Sequence, residues 1–273
     1  VASIPPLAAI LRELVGPETE VRSLLPPGVS AHAYEPRPSE VKGVEEARRV
    51  FIIDSSFDGW AIPSRTHAVV SVLGFLPPER LLAARTEAIE PDRPAPGPAI
   101  PLTVEAADPH FWLDPAAVRA ALPSFIETLI QADPEAEAAL RAGFERFDRE
   151  LEALEAETRS LLEPLKGRPV VLFHSAFVYL LEPYGLEVIG LVEPLPGKDP
   201  TARDLQRLAA SIRRRGVRVI FTEPQLPARP AQVLAEASGA RLVELDPLGG
   251  GPGRGSYAEL IRHNVRMIRG AFQ

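Results

Sequence analysis

Residues 169–191 read Pro169-Val-Val-Leu-Phe-His-Ser-Ala-Phe-Val-Tyr-Leu-Leu-Glu-Pro-Tyr-Gly-Leu-Glu-Val-Ile-Gly-Leu191. Pro169 to Phe173 is a short apolar run with two adjacent valines and predicts a strand. Ala176 to Tyr184 is long enough for a short helix, and Gly185 ends it. Leu186 to Leu191 is again β-type. A strand, a helix and a strand in that order form a parallel unit with a right-handed crossover. His174 falls where the first strand ends.

The same alternation continues on both sides. Downstream, strands are expected at Val217–Thr222 and Arg241–Leu245. Helices are expected at Thr201–Arg215, Pro230–Ser238 and Tyr257–Ala271. Upstream, Leu7–Val15 reads as a helix entered through Pro5-Pro6 and closed by Gly16. Val21–Leu25, Val50–Ile53 and Ala68–Val72 read as strands, and Ser39 can cap a helix to about Arg48. Pro77 to Asp108 is rich in proline and charge, and most of it reads as a long surface loop. The fold class is therefore α/β, with parallel sheets flanked by helices.

Asp114-Pro115 and Asp133-Pro134 each place a capping carboxylate before proline, a helix-start signal. The second opens the longest helix, about 30 residues or roughly 45 Å from Pro134 to Glu163. Leu140, Phe144, Phe147, Leu151, Leu154 and Leu161 are spaced to share one apolar stripe. Pro164 and Gly167 end it. A helix of that length either spans two lobes or packs on one, and the pattern alone leaves both open.

At 273 residues the chain can form two lobes of ordinary size. A hydrophobic fraction of 45% and a charged fraction of 25% are those of a globular protein. The net charge of −7 gives no support for nucleic-acid binding. Arg213-Arg214-Arg215 reads as a solvated helix face. No cysteine is present, which excludes disulfides, thiolate ligands and a cysteine nucleophile. No apolar run reaches transmembrane length. The start at Val1, without methionine, is expected of a processed or trimmed product whose targeting segment is missing. The 30 prolines and the excess of arginine over lysine are compatible with a thermophilic source.

Ligands of parallel sheets bind beyond the carboxyl ends of strands. His174 follows Val170–Phe173, Glu223 follows Val219–Thr222, and Asp246 follows Leu242–Leu245. His32 lies in the loop after Val21–Leu25, and His110 lies in Asp-Pro-His-Phe-Trp-Leu-Asp-Pro. His32, His110 and His174 with Asp246 would suit a divalent transition metal, if folding gathers them in one cleft. Plainer readings exist for each. A lone loop histidine is usually a surface residue, and His67 and His263 are read so. Asp114 is a helix cap, Asp246 could cap a turn before Pro247, and Glu223 could be a buried ion-pair partner. The glycines at 249–251 and 253 lack a helix-opening context and are given no nucleotide role.

Taken in order, several motifs carry a resemblance. They are Ser-Ile-Pro-Pro-Leu at 3–7, Leu-Pro-Pro-Gly at 25–28, His-Ala-Tyr-Glu-Pro at 32–36 and Asp-Pro-His-Phe-Trp-Leu-Asp-Pro at 108–115. Phe-His-Ser-Ala-Phe at 173–177, Ile-Phe-Thr-Glu-Pro-Gln at 220–225, Leu-Asp-Pro-Leu-Gly at 245–249 and Ser-Tyr at 256–257 follow. Over essentially its whole length the chain resembles the zinc/manganese substrate-binding proteins of bacterial ABC importers (the cluster A-I metal-binding family). The resemblance implies two α/β lobes joined by one rigid long helix: an N-terminal lobe at 1–133, the helix at 134–165 and a C-terminal lobe at 166–273. It implies metal ligands His32 and His110 from the first lobe and His174 and Asp246 from the second, with Glu223 behind them. It implies a monomeric, non-enzymatic protein in the periplasm or at the cell surface, with or without a lipid anchor, delivering its ion to a membrane permease.

Zinc-type members of that family carry histidine where His174 stands, and manganese-type members tend to carry glutamate. Zinc is therefore expected first and manganese second. Two departures qualify this. The segment from Pro77 to Asp108 has no histidine, so a histidine-rich collecting loop is missing. Ala31 stands where some members place a carboxylate, which leaves Asp246 or water as the fourth ligand. Two alternatives are weighed: a zinc hydrolase or lyase using the same histidines with Glu223 as base, and a wider cleft for a corrinoid or iron chelate.

Overall fold

The structure, a computed structural model, describes residues 1–38, 40, 44, 46–62, 69–85, 103–195 and 197–273. Half of the helix expected over 39–48 lies outside these residues, and so does His67. So do Ala68 of the third expected strand and the middle of the 77–108 segment.

Two parallel sheets are built in sequence, each flanked by helices. In the second half, β3 (Pro169–Leu172), β4 (Glu187–Leu191), β5 (Val219–Thr222) and β6 (Arg241–Glu244) pair in the order β4-β3-β5-β6, all parallel. In the first half, β1 (Val50–Ile52) pairs with β2 (Val69–Ser71). Ala2 adds parallel bridges to Ser23 on one side and Phe51 on the other. Ala2 N donates to Arg22 O at 2.8 Å and Phe51 N to Val1 O at 2.9 Å. Read outward from the segment around Ser23, the first half has the same spatial order as the second: second, first, third, fourth. In both, the strand order reverses between the first and third strands, the position where parallel sheets open a crevice.

The helices follow their local chemistry. Helix α1 (Pro5–Val15) starts with proline in its first turn. It ends at Gly16, whose φ of 75° suits glycine. Helix α2 (Pro115–Ala132) is capped by Asp114, which accepts from Ala116 N at 3.0 Å. Helix α3 (Glu137–Leu162) spans 26 residues. At the α-helical rise this makes it roughly 39 Å long. Helices α4 (Ala202–Arg215) and α6 (Tyr257–Gly270) open with reciprocal capping boxes, Thr201/Asp204 and Ser256/Glu259. Helix α5 (Ala228–Ser238) lies between them in sequence. Among the described residues, no helix is long and apolar enough to cross a membrane.

Helix α3 packs against α1 and α2 of the first half and against α6 of the second. Its buried face is Leu140, Gly143, Phe147, Leu151, Leu154, Thr158 and Leu162. The stripe expected from sequence differs at two places: Phe144 is only half-buried beside the buried Gly143, and the end shifts by one residue. Continuing the helical period from Leu154 leads through Thr158 to Leu162, so Leu161 is only half-buried. Each large apolar side chain buried here contributes roughly 1.5–3 kcal/mol. Gly143 allows the close approach of α1: a Cβ there would lie 2.2 Å from Leu14 O. Polar pins hold the same helix. Arg119 bonds Asp148 through Nε at 2.8 Å and Nη2 at 3.1 Å, and Arg262 Nε bonds Glu157 at 2.8 Å.

The ends of the expected 77–108 loop are more ordered than its composition suggests. Ala83 and Ala107 form an antiparallel bridge, and Asp108 N donates to Leu82 O at 2.7 Å. Leu82 N in turn donates to Tyr179 Oη at 2.9 Å. Arg213, Arg214 and Arg215 are exposed at the end of α4, the solvated face expected; Arg213 Nη1 donates to Ala237 O and Arg215 Nη2 to Glu187.

Candidate metal centre

Three short turns deliver three imidazoles to one point. His32 sits in a 3-10 turn, Ala31–Ala33. His110 precedes the 3-10 turn Phe111–Leu113, and His174 precedes Ser175–Phe177 directly after β3. His32 Nε2 lies 3.3 Å from His174 Nε2, and His110 Nε2 lies 3.3 Å from His174 Nε2. One ring nitrogen from each of the three lies within 4.8 Å of the others. His110 and His174 are buried, and His32 is partly exposed.

Each buried ring is oriented from behind by a carboxylate. His110 Nδ1 is 2.8 Å from Asp108 Oδ1, and His174 Nδ1 is 2.5 Å from Glu223 Oε1. An ionised carboxylate only accepts, so each Nδ1 carries the proton and each Nε2 presents its lone pair to the centre. Asp108 also accepts from His110 N at 2.9 Å and, through Oδ2, from Ser175 Oγ at 2.6 Å. It is thus held by both halves of the molecule. The sequence reading did not single out Asp108. A carboxylate two residues before a candidate histidine was the available signal.

Aromatic rings wall the remaining side. Phe57 meets His32 edge-on at 4.9 Å and His110 at 5.4 Å. Trp112 lies 5.2 Å from His110, and its Nε1 donates to Pro247 O at 2.8 Å across the cleft. Trp60 Nε1 donates to Ala31 O at 2.8 Å and fixes the turn that carries His32.

These surroundings set the protonation of the rings. Burial, then the neighbouring His110 and His174, holds His32 down to about 2. At His174 burial also disfavours charge. Glu223 and then Asp108 and Glu193 outweigh it, and the ring is raised above its ordinary value. Burial likewise opposes ionisation of Asp108, but His110 and the hydrogen bond from Ser175 hold it below the usual carboxylate range.

Asp246 is not brought into this group, contrary to the four-ligand expectation. Its Oδ1 accepts from Leu248 N, Gly249 N and Gln225 Nε2, each at 3.0 Å. Its Oδ2 faces Arg254 Nη1 at 3.0 Å. Both oxygens are therefore engaged, and the bonds of Oδ1 to Leu248 N and Gly249 N are the capping role weighed for it. His263 is half-buried on α6 and outside the histidine group.

The space framed by the three histidines is small. A cavity of about 20 Å³ is lined by His32, His110 and His174 together with Phe57, Glu223 and Gln225. Beside an ion seated on the ring nitrogens it has room for about one water-sized group, because a water needs about 10–15 Å³. A corrinoid or iron chelate does not fit it.

Two parallel-sheet lobes, a long connecting helix and convergent imidazoles at the cleft define a two-lobed binding protein with a nitrogen-donor centre. The sequence model of the family described as zinc-uptake complex component A, periplasmic (ZnuA) matches residues 1–271, and the chain belongs to that family. It is 30% identical over 164 residues to the high-affinity zinc uptake system protein ZnuA of Brucella abortus. That alignment covers 59% of this chain and 49% of the relative, so the chain spans about half the length of that protein. It is 28% identical to the Paracoccus denitrificans protein of the same description, covering 96% of this chain and 88% of the relative. The fold matches the periplasmic zinc-binding protein TroA of Treponema pallidum with a TM-score of 0.82, at 22% identity over 99% of this chain and 97% of that one. It matches FpvC of Pseudomonas aeruginosa, solved in complex with Mn2+, with a TM-score of 0.81, at 25% identity over 99% and 96% of the two chains.

Proposed function

We propose that this chain captures one divalent transition metal ion in the cleft, zinc in preference to manganese, and passes it to an ABC permease from outside the cytoplasm. One observation carries the reading. A tetrahedral zinc with bonds of about 2.05 Å keeps its nitrogen ligands about 3.3 Å apart, and the Nε2 separations at His174 are 3.3 Å. Without a cation, three lone pairs converging at that distance would repel. His32, His110 and His174 are the ligands in this proposal, with Asp108 and Glu223 orienting the buried two.

Three nitrogen donors favour zinc over the harder manganese ion. The FpvC likeness keeps manganese as the second choice. The periplasmic description of the family supports action outside the cytoplasm; a monomer without a nucleic-acid partner belongs to the same proposal. The division into 1–133, 134–165 and 166–273 belongs to the same reading, supported by the packing of α3 against helices of both halves. We propose no enzymatic activity: Glu223, the candidate base, is spent on His174 Nδ1.

The test is native mass spectrometry with elemental analysis on protein purified without chelator, followed by calorimetric titration with zinc and manganese. One ion per chain and tighter zinc binding are expected. A bound organic molecule, or no binding of either ion, would overturn the proposal.

A further inference from the structure

Three histidines leave one coordination position of a tetrahedral ion unassigned, and Asp246 is committed elsewhere. Gln225 lines the same cavity of about 20 Å³ as the three histidines. Its amide orientation is fixed by chemistry. Asp246 Oδ1 accepts only, so the nitrogen Nε2 must be the atom bonded to it at 3.0 Å. Oε1 is then the end left over. It is buried and has no hydrogen-bond partner among the described residues. A buried amide oxygen left unpaired costs about 1–3 kcal/mol, so Oε1 calls for a donor, and a water carried on the ion would supply one.

We propose that Gln225 holds the ion's fourth ligand: a metal-bound water donates a hydrogen bond to Gln225 Oε1, and Asp246 acts one step back by fixing the amide. This rests on the metal-capture reading above. An ion polarises its water and makes it a strong donor, which suits an acceptor that the protein leaves unmatched. Asp246 is in turn locked by Arg254 and by the backbone of Leu248 and Gly249. The chain Arg254–Asp246–Gln225 therefore sets where the water sits without any carboxylate touching the ion. It makes Gln225 a positioning residue for the bound ion.

The experiment compares wild type, Gln225→Leu and Gln225→Glu. Zinc affinity is measured by chelator competition, melting of the metal-free protein by calorimetry, and the bound water's ionisation by the pH dependence of the cobalt(II) visible spectrum. Leu removes the acceptor, and Glu keeps an acceptor while losing the donor to Asp246. Gln225→Leu is expected to lose about 10-fold or more in zinc affinity, with metal-free melting unchanged or raised. Its cobalt spectrum should titrate at lower pH, because the neutral water has lost its acceptor. Gln225→Glu should bind within a few-fold of wild type or tighter. Equal losses in both variants would show that Gln225 merely supports Asp246, and would overturn the proposal. So would zinc affinity in Gln225→Leu within two-fold of a wild type that binds zinc one to one. Failure of wild type itself to bind zinc or cobalt would instead overturn the capture reading.

Discussion

Ser175 donates a hydrogen bond of 2.6 Å to Asp108, joining the turn after β3 to the residue that orients His110. The two lie 67 positions apart and on opposite sides of the cleft. The ring from the first lobe is thus aimed by a group that the second lobe holds in place. Removing the carboxylate in Asp108→Ala should weaken zinc binding about 10–100-fold. Ser175→Ala should act in the same direction but more mildly, because Asp108 keeps its bonds to His110. Chelator-competition titration measures both, and unchanged affinity in Asp108→Ala would remove the orienting role.

The pH dependence of zinc binding should be governed by His174. Its raised pKa means that its proton stabilises the metal-free fold fully below 6.5, the ordinary value, and that this contribution is lost as pH rises through the raised value. Zinc must displace that proton, so affinity should climb with pH across the window and level off above it. His32, held at about 2, stays neutral throughout and adds nothing. Glu223→Gln should bind zinc more weakly at about pH 8 yet lose less affinity between about pH 8 and 6. Titrations at several pH values check this, and a Glu223→Gln profile parallel to wild type would refute it.

Adding a side chain at Gly143 should damage the packing of α1 on α3. A Cβ there meets a backbone oxygen, Leu14 O, which cannot rotate away. Overpacking of this kind costs typically ~1–3 kcal/mol. Gly143→Ala should lower the denaturant midpoint accordingly while its folded fraction still binds zinc one to one. An unchanged midpoint would mean that α1 shifts freely.

Metal loading should stabilise the protein without reshaping it. Free zinc at about a thousand times Kd adds roughly 4 kcal/mol, and chelator should reverse the gain in melting temperature. Small-angle scattering should give the same radius of gyration with and without zinc, because α3 is pinned to both lobes. A clear contraction on loading would contradict that picture.

The sequence made the alternation of strands and helices legible, since apolar runs such as Val170–Phe173 and Val219–Thr222 are bounded by turn residues. It also made the three histidines legible, because each stands in a short motif at an element boundary. Other features depend on tertiary placement that no local pattern encodes. Ala2 takes its place in the sheet through single bridges to Ser23 and Phe51. Asp246 carries the right chemistry for a ligand, but Arg254 and the amides of Leu248 and Gly249 claim it. Asp108 matters because of Ser175, a partner contributed by the other half. Leu161 and Leu162 both fit a loose apolar stripe, and only the helix rotation counted through Thr158 separates them.

The three imidazoles are carried not by the interior of a strand or a long helix but by, or just ahead of, single 3-10 turns. Their hydrogen bonds are poorer in geometry than those of an α-helix, whereas α3 is packed against helices of both halves. Unseating one ligand therefore requires bending a few residues, and the scaffold can stay as it is. For the ion carrier proposed above, the part that would yield on release is one tip of chain a few residues long.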